Sequence, residues 1–565
     1  MADDGEQPLA PPPSGPAAPQ ADPPVSGPSL SRATAVMSIG TALSRLTGFA
    51  RIAVMAWAIG GTESKLPDTY NLANSLPNMV YQLVIGEVLA TVFVPVFIEQ
   101  IKTRSREESR SLASSILSVA VVVATAFSAL TVLLAPWIIK IYTFGVDDPA
   151  LRAQQEAVGA FFLRIFMPQM AFYAAGAALT GLLNAHRRFA APMFAPVLNN
   201  VIVSATFVAF RLKNGGGVPD LMSLTAGDKW LLAGGTTAGV IAMTAALWPF
   251  VIRLRAGYRL GRPTLRHPAV RHVGNLARYS LGYVVVNQIG LWIVLALANG
   301  GQDGGVTAYQ SSFILYQLPY GIFAVSIMTF MVPRLAEHHV DGDLAAVRAD
   351  VSLGLRLTAF VIVPAAAGFI ALSQPILRLL LEHGVFGAAS TELFARTFVL
   401  MALGLVSYAS FQQVMRAFYA MQDTRTPWLV NIIAIGAQIA AAFPLFAWLG
   451  VPGLGLSHAI SYTVGVFVGG MILRRRLGGI DGARLLRSYG RIGVGATGTG
   501  LAAWLSARAI GEALSLETFI GQLTQVGTAV AAGLVLYVAV ARLLRFDEFQ
   551  PLVAIVTKRL RRSRG

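Results

Sequence analysis

The chain has 565 residues, of which 55% are apolar and only 13% carry a charge, and it contains no cysteine. This composition excludes an ordinary soluble domain, about a quarter of which would be charged, and the missing cysteines exclude disulfides and thiolate metal sites. The formal net charge of +16 fits either nucleic-acid binding or the basic loops of a membrane protein, and the positions of the charges decide between them.

The first 30 residues are rich in Pro, Ala, Gly and Ser and hold only a few acids. Too little apolar surface is available there for a core, so we predict a disordered cytoplasmic tail over 1–30. The segment lacks the basic start and short apolar core of a cleavable signal peptide. We therefore expect the first membrane helix to direct insertion.

From Ala33 onward, apolar stretches of about 20 to 30 residues alternate with short polar breaks. Each is long enough to cross a hydrocarbon layer of about 30 Å as a helix. They predict an all-α polytopic membrane protein with about 14 transmembrane helices. The predicted spans are 33–60, 69–98, 111–142, 157–184, 190–211, 230–252, 273–299, 306–333, 351–373, 392–421, 427–449, 453–473, 488–511 and 521–544.

Lysine and arginine gather in the connections that follow even-numbered spans. Because short loops rich in these residues stay in the cytoplasm, both termini are predicted to be cytoplasmic. Topology then explains the surplus charge, and nucleic-acid binding is not expected. The basic residues of these connections include Lys102, Arg104, Arg106, Arg187, Arg188, Arg253, Arg255, Arg474, Arg475 and Arg476.

The two halves of the chain resemble each other at an offset of about 240 residues. The Pro-to-Gly spacing of 136–145 recurs at 375–384, and Leu76-Pro77 matches Leu318-Pro319. Each half holds an even number of helices, so the repeats are parallel, about an axis along the membrane normal. The predicted domains are two pseudo-symmetric six-helix lobes, an N-lobe over 33–252 and a C-lobe over 273–473, then helices 13 and 14 over 488–544 and a basic cytoplasmic tail over 545–565.

The sequence holds no paired catalytic carboxylates in a large loop, no nucleophile elbow and no phosphate-binding loop. We therefore predict a protein that is not an enzyme, without catalytic residues, cofactor or metal.

Charge within the membrane is the main functional signal. Arg45 and Arg51 lie six positions apart on the first helix, about 120° around it, so both can reach one cavity. An intramembrane cation costs about 2.5 to 3.5 kcal/mol on insertion scales, so it usually faces a cavity or a partner. Arg164 and Arg416 are further candidates. Other arginines nearer helix ends are expected to extend to the membrane interface, namely Arg278, Arg356 and Arg396.

A polar stripe follows one face of the second helix, because its members are spaced by three or four positions. It could either line the cavity and bind a sugar or peptide headgroup, or hold helices together by hydrogen bonds. Pro77 interrupts it and is a candidate hinge. The stripe consists of Asp68, Asn71, Asn74, Asn78 and Gln82, with Glu87 the only carboxylate deep in a helix.

Segment 44–51, Ser-Arg-Leu-Thr-Gly-Phe-Ala-Arg, resembles the opening of the MurJ/MviN lipid II flippases within the multidrug/oligosaccharidyl-lipid/polysaccharide exporter superfamily. Asp68, eight residues before Leu76-Pro77-Asn78, extends the likeness, as do Ala135-Pro136-Trp137 and Thr424-Arg425-Thr426-Pro427. The likeness covers about residues 33–545.

This resemblance implies a lipid II flippase that moves the undecaprenyl-pyrophosphate-linked peptidoglycan precursor to the outer leaflet of the bacterial cell membrane by alternating access. It places Arg45, Arg51 and Asp68 in a central cavity, with the arginines on the pyrophosphate, and the lipid tail in a groove involving helices 13 and 14. The partners it implies are lipid II and membrane lipids. Cell-wall synthesis proteins are separate candidate partners, which the basic and Pro-rich cytoplasmic tails could recruit.

The chain departs from the family pattern at four positions. Tyr81 and Gly86 replace an arginine and a glutamate of helix 2, and Ile314 and Gln317 replace an arginine and an acid of helix 8. We expect a Gram-positive-type member in which either Arg416 or Arg164 compensates or the headgroup contacts differ. Two alternatives stay open: a flippase for another polyprenyl-linked glycan, and a non-transporting scaffold of cell-wall synthesis.

Overall fold

The computed structural model of the chain describes residues 28–82, 106–186, 188–253 and 268–549. These residues form eighteen α-helices and one π-helical turn, with no strand among them. The first nine helices are α1 Pro28–Ile59, α2 Leu66–Tyr81, α3 Arg106–Thr143, α4 Pro149–Phe166, α5 Gln169–Ala185, α6 Ala190–Lys213, α7 Ala226–Ala245, α8 Trp248–Ile252 and α9 Pro268–Gly300. The others are α10 Gly305–Pro319, the π turn Tyr320–Ala324, α11 Val325–Val340, α12 Leu344–Leu381, α13 Ala388–Ala402, α14 Leu405–Ala420, α15 Arg425–Leu449, α16 Val451–Arg476, α17 Gly482–Ala513 and α18 Phe519–Leu543.

The predicted all-α membrane fold is confirmed, since each predicted span is mainly helical where the structure describes it, with short breaks at 167–168, 246–247 and 403–404. Eleven helical stretches in the described residues are long and apolar enough to cross a membrane. A twelfth is added if α13 and α14, which meet at a bend of 45°, are one span. The total of fourteen stays a prediction, because α2 is described only to Gln82 and α17 is not among the apolar stretches.

Local sequence explains where several helices begin. Asp148 caps α4 by accepting a hydrogen bond from the Ala150 amide at 2.8 Å, and Pro149 follows at the first helical position. Thr225 and Asp228 form a reciprocal capping box at α7. Helix α1 begins at Pro28, so residues 28–30, which were predicted to belong to the disordered tail, are helical. Residues 1–27 lie outside the described part of the chain.

The segment Thr424–Pro427, one of the motifs shared with the resembled family, has a structural role at the start of α15. Asp423 accepts hydrogen bonds from the amide and hydroxyl of Thr426 at 2.9 and 2.5 Å, and it pairs with Arg476 at 2.5 Å. Burial alone would raise the pKa of Asp423, but these donors outweigh burial and hold the pKa below its usual 3.8. The segment therefore fixes the turn between α14 and α15.

The helices pack mainly against neighbours within each half of the chain. Helix α1 packs on α6, and α6 packs on α7; in the second half, α15 packs on α16. Helices α17 and α18 pack on each other and on α12. Tyr70 of α2 is fully enclosed, with T-shaped ring contacts to Phe162, Phe166 and Phe207 at 5.3 to 6.1 Å. This cluster anchors the polar helix α2 beside α4 and α6.

A buried ion pair fastens the segment after α18. Glu548 accepts a hydrogen bond from Arg356 of α12 at 2.8 Å and another from the Ser488 hydroxyl at 2.8 Å. Both charged side chains are about 5% exposed or less. Arg356 was expected to reach the membrane interface, and the structure instead gives it a carboxylate partner, because the chain beyond α18 folds back over α12. Phe546 and Glu548 of the predicted basic tail are thus buried against the protein.

Candidate functional site

Arg45 and Arg51 both lie on α1, as predicted. Arg45 is exposed and reaches the π turn of the second half: a carbon placed on Gly321 would lie 3.4 Å from two nitrogens of the Arg45 guanidinium. Arg51 is half-buried, and its charge acts on the hydroxyls of Tyr70 and Tyr173. The two arginines therefore stand at different heights along α1.

The π turn Tyr320–Ala324 is the meeting point of the two halves near Arg45. It interrupts the span 306–333 directly after Pro319, and π-helical turns inside α-helices are frequent at functional sites. The half-buried Arg416 of α14 lies near Tyr320, the first residue of this turn, and its charge acts on the Tyr320 hydroxyl. No carboxylate within the described ranges is ion-paired with Arg45, Arg51 or Arg416. Cations from α1 and α14 thus converge on one turn.

The polar stripe of α2 divides into two parts. Asp68 and Asn71 have protein partners, described below, whereas Asn78 is exposed. Asn74 is half-buried, and the exposed Gln82 is 3.3 Å from Gln288 of α9. The helix is continuous through Pro77, so the structure shows no break at the predicted hinge. Glu87 lies outside the described residues. Substrate binding by this stripe stays a prediction.

Asp68 is completely buried at the contact between the two halves. One carboxylate oxygen accepts a hydrogen bond from the Gly304 amide at 3.0 Å, and the other accepts from the amide and hydroxyl of Thr307 at 3.0 and 2.9 Å. These donors belong to the first turn of α10, where a carboxylate is favoured by the helix dipole. Gly304 adopts a positive φ of 81°, which glycine allows. Asp68 therefore caps α10 from the other half.

Lys65 and Asn71 complete this contact. The buried Lys65 ammonium donates to the Asn299 carbonyl at 2.9 Å and lies 3.5 Å from Asp68 and 3.4 Å from Asp303. The Asn71 amide donates to the Thr307 hydroxyl at 3.0 Å. Lys65 was not among the predicted site residues; its position three residues before the acid Asp68, separated from it only by Leu-Pro, was the available signal.

Two further contacts close the same end of the bundle. Asn299 of α9 exchanges hydrogen bonds with Gln155 of α4 at 2.7 and 3.1 Å. Nearby, the Glu63 carboxylate accepts from the Gly387 amide and the Ser390 hydroxyl, both at 2.8 Å. We call this end the gate, made of Glu63, Lys65, Asp68, Asn71, Gly145, Gln155, Asn299, Gly300, Gly304, Thr307 and Ser390. The gate is closed in this conformation, while Arg45 at the π turn is exposed.

Gly145 and Gly300 bring two backbones into contact at the gate. A methyl group on Gly300 would lie 2.9 Å from the Gly145 carbonyl oxygen. We expect Gly300→Ala to destabilise the closed gate by about 1 to 3 kcal/mol, because a backbone atom cannot move away from the added methyl group as a flexible side chain can. The open-to-closed ratio would then rise by about five- to 150-fold. Because the chain has no cysteine, spin labels on Ala153→Cys and Ala389→Cys, exposed on either side of the gate, report its opening by their separation.

Gly436→Ala is the matched control, because a carbon added there meets no atom within 4 Å in the described residues. An unchanged label separation in Gly300→Ala would contradict the backbone contact.

The other intramembrane arginines do not join the π turn. Arg164 is exposed on α4, and Arg396 is exposed and paired with Glu392 at 2.6 Å. The Arg278 side chain lies outside the described part of the structure. Of the two arginines expected to compensate for the departures in helices 2 and 8, only Arg416 is brought to the turn that follows α10.

Solved structures with the same fold are membrane transporters. A lipid II flippase MurJ in an inward closed conformation superposes with a TM-score of 0.72 at 21% identity, over 92% of this chain and 100% of the other. An inward-facing multidrug resistance MATE family transporter of the MOP superfamily gives a TM-score of 0.62 at 13% identity, over 79% and 98%. The described helices thus have the fold of this class of transporter.

Sequence comparison narrows the class to one family. The family model described as lipid II flippase MurJ matches residues 55–524, and the chain belongs to this family, as its motifs indicated. A probable lipid II flippase MurJ of Rhizobium meliloti is 28% identical over 437 residues, 77% of this chain and 78% of that protein. The lipid II flippase MurJ of Burkholderia cenocepacia is 27% identical over 455 residues, 79% and 84% of the two chains.

Proposed function

We propose that this protein is a lipid II flippase, which moves the undecaprenyl-pyrophosphate-linked peptidoglycan precursor from the inner to the outer leaflet of the bacterial cell membrane. The observation that carries the proposal is the convergence of Arg45 and Arg416 on the π turn, without a carboxylate partner among the described residues. Unpaired cations in an apolar bundle favour an anionic cargo. Membership of the lipid II flippase family indicates that this anionic cargo is lipid II.

The chemistry of arginine suits a pyrophosphate. Its planar guanidinium donates paired, charge-assisted hydrogen bonds to phosphate oxygens and stays charged at any physiological pH. Arg45 and Arg416 come from different halves of the chain, so one headgroup can bridge them. In this proposal Arg51 takes part from the next turns of α1, and the exposed Asn78 offers hydrogen bonds to sugar or peptide.

We propose alternating access as the mechanism. In this proposal the termini are cytoplasmic, as the arginine-rich connections predict, so segment 60–65 and the closed gate lie on the outer side. The π turn then faces a cavity that opens toward the cytoplasm, where the precursor is made. Opening the gate while the other end closes would present the headgroup to the outside. The gate contacts are few, polar and between halves, which suits a contact that must break.

The two lobes over 33–252 and 273–473 serve in this proposal as the moving bodies. Helices α17 and α18 pack on α12 through small side chains, with Ala503, Ala507 and Ala529 buried against Leu372. Small residues let membrane helices approach closely. The lipid tail is proposed to lie along this helix pair, outside the cavity. Cell-wall synthesis proteins at the cytoplasmic tails are proposed partners.

Depleting the protein in cells and labelling lipid II in each leaflet tests the proposal. We expect the precursor to accumulate in the inner leaflet and to disappear from the outer one. Normal outer-leaflet levels would contradict lipid II flipping.

The departures at Ile314 and Gln317 keep another polyprenyl-linked glycan open as the cargo. Competition between lipid II and such a glycan for binding to the purified protein distinguishes the two cargoes.

A further inference from the structure

His458 of α16 is buried in a shell of aromatic rings in the second half of the chain. It is 5% exposed. The His458 ring centroid lies 4.9 Å from that of Tyr462, 5.3 Å from Tyr316, 5.4 Å from Phe313 and 6.4 Å from Tyr309. Three of these four rings belong to α10, the helix that Asp68 caps.

One nitrogen of this imidazole has no partner. The Tyr309 hydroxyl lies 3.4 Å from Nδ1 of His458, whereas Nε2 is buried without a hydrogen-bond partner among the described residues. This holds whichever nitrogen carries the proton. A buried polar atom left unpaired is destabilising, so packing alone would favour phenylalanine or leucine here.

The groups that face His458 are all uncharged. They are the phenols Tyr309 and Tyr316 of α10 and Tyr462 of α16, then Tyr408 of α14 and Tyr283 of α9 next to Tyr462, and the amide of Gln438 of α15 beside Tyr309. No carboxylate of the described chain is within ion-pair distance of His458. An imidazolium enclosed here would therefore be an uncompensated buried charge, and protonation disfavours this packing.

The aromatic shell is continuous with the candidate cargo site. Ring centroids are 4.8 Å apart from Tyr462 to Tyr408 and again from Tyr408 to Tyr320, and the charge of Arg416 acts on the Tyr320 hydroxyl. Helix α10 is thus held by Asp68 at its start, packs on His458 in its middle, and leads into the π turn beside Arg45. A change in packing around His458 acts on the gate and the π turn together.

We propose that Nε2 of His458 is a proton-binding site that couples proton movement to opening of the gate. A hydrated imidazole takes up a proton near pH 6.5, and the closed-gate packing expels it. With the gate on the outer side, His458 takes a proton from outside when α10, α14 and α16 loosen, and releases it inside when they repack. The lipid would then leave as a proton enters, an inference that rests on the proposed function.

The label pair Ala153→Cys and Ala389→Cys tests the site in proteoliposomes made with the full chain. We expect the open-gate fraction to rise as pH falls from about 8 to about 5, by up to about tenfold in the open-to-closed ratio per pH unit for one proton. His458→Phe and His458→Gln should both remove this dependence; glutamine keeps the fold if phenylalanine overfills the shell. The same pH dependence in both variants, or none with His458 present, would overturn the proposal.

A second measurement separates this site from the proposed function. Lipid II movement is followed in the same vesicles with an outside-acid pH gradient and with the membrane potential clamped at zero. We expect the gradient to accelerate movement with His458 and not with glutamine. If the gate depends on pH but lipid II does not move, the flippase proposal is contradicted and the proton site is not. If lipid II moves at the same rate with and without the pH gradient, only the coupling is contradicted.

Discussion

Replacing Arg45 with alanine is expected to weaken lipid II binding by about 10- to 150-fold and to reduce flipping to a similar extent. The reason is that a charge-assisted hydrogen bond contributes about 1.5 to 3 kcal/mol, and Arg45 offers a paired set at the exposed face of the π turn. Arg45→Lys should recover only part of the loss, because an ammonium cannot form the paired contact. Titration with labelled lipid II and a vesicle flipping assay measure both quantities.

Arg396→Ala is the matched control for Arg45→Ala. It also removes one guanidinium from a helix, but Arg396 is exposed and already paired with Glu392. Such a pair contributes little to stability, and we expect binding to change less than about twofold. If Arg45→Ala binds lipid II as tightly as Arg396→Ala does, the cationic cavity is not the headgroup site.

Replacing Asp68 with alanine is expected to open the gate. The substitution leaves the buried Lys65 ammonium and the Gly304 and Thr307 amides without their carboxylate, a loss typically of about 3 to 5 kcal/mol for a broken buried charge pair. The open-to-closed ratio should then rise by about 10² to about 5 × 10³, seen as a longer separation of the labels on residues 153 and 389. Asp68→Asn keeps one acceptor and should have a smaller effect.

Asp303→Asn controls for the charge near Lys65. Its carboxylate also lies close to Lys65, at 3.4 Å, but it is 44% exposed, so solvent screens the interaction. We expect a shift of less than about fivefold. A closed gate in Asp68→Ala would show that the cap on α10 does not hold the halves together, and Asp68 would then be better assigned to the cargo.

The two arginines of α1 illustrate what local sequence can predict. Their membership of one helix follows from six-residue spacing within an apolar stretch, and the structure confirms the helix. The helix segments were equally predictable, because apolar length alone specifies a span. The π turn after Pro319 and the break between α4 and α5 were not predicted. The apolar composition of a stretch does not reveal where the backbone hydrogen bonds of its helix change register or are interrupted.

Asp68 illustrates what pattern alone leaves undecided. Its spacing with Asn71 and Asn74 places it on one face of α2, which fits both a cavity wall and a packing contact. The structure assigns it donors 236 and 239 residues away. No periodicity in α2 carries information about the first turn of α10.

The sequence by itself determined an all-helical membrane protein with two intramembrane cations on its first helix, because burial of apolar segments and the cost of intramembrane charge act locally. Only the tertiary structure decided that Arg45 and Arg416 both lie near the π turn, that Asp68 closes the gate, and that Nε2 of His458 is buried among tyrosines without a hydrogen-bond partner in the described residues. Each of these depends on contacts between residues far apart in the chain, which form only when the two halves pack together.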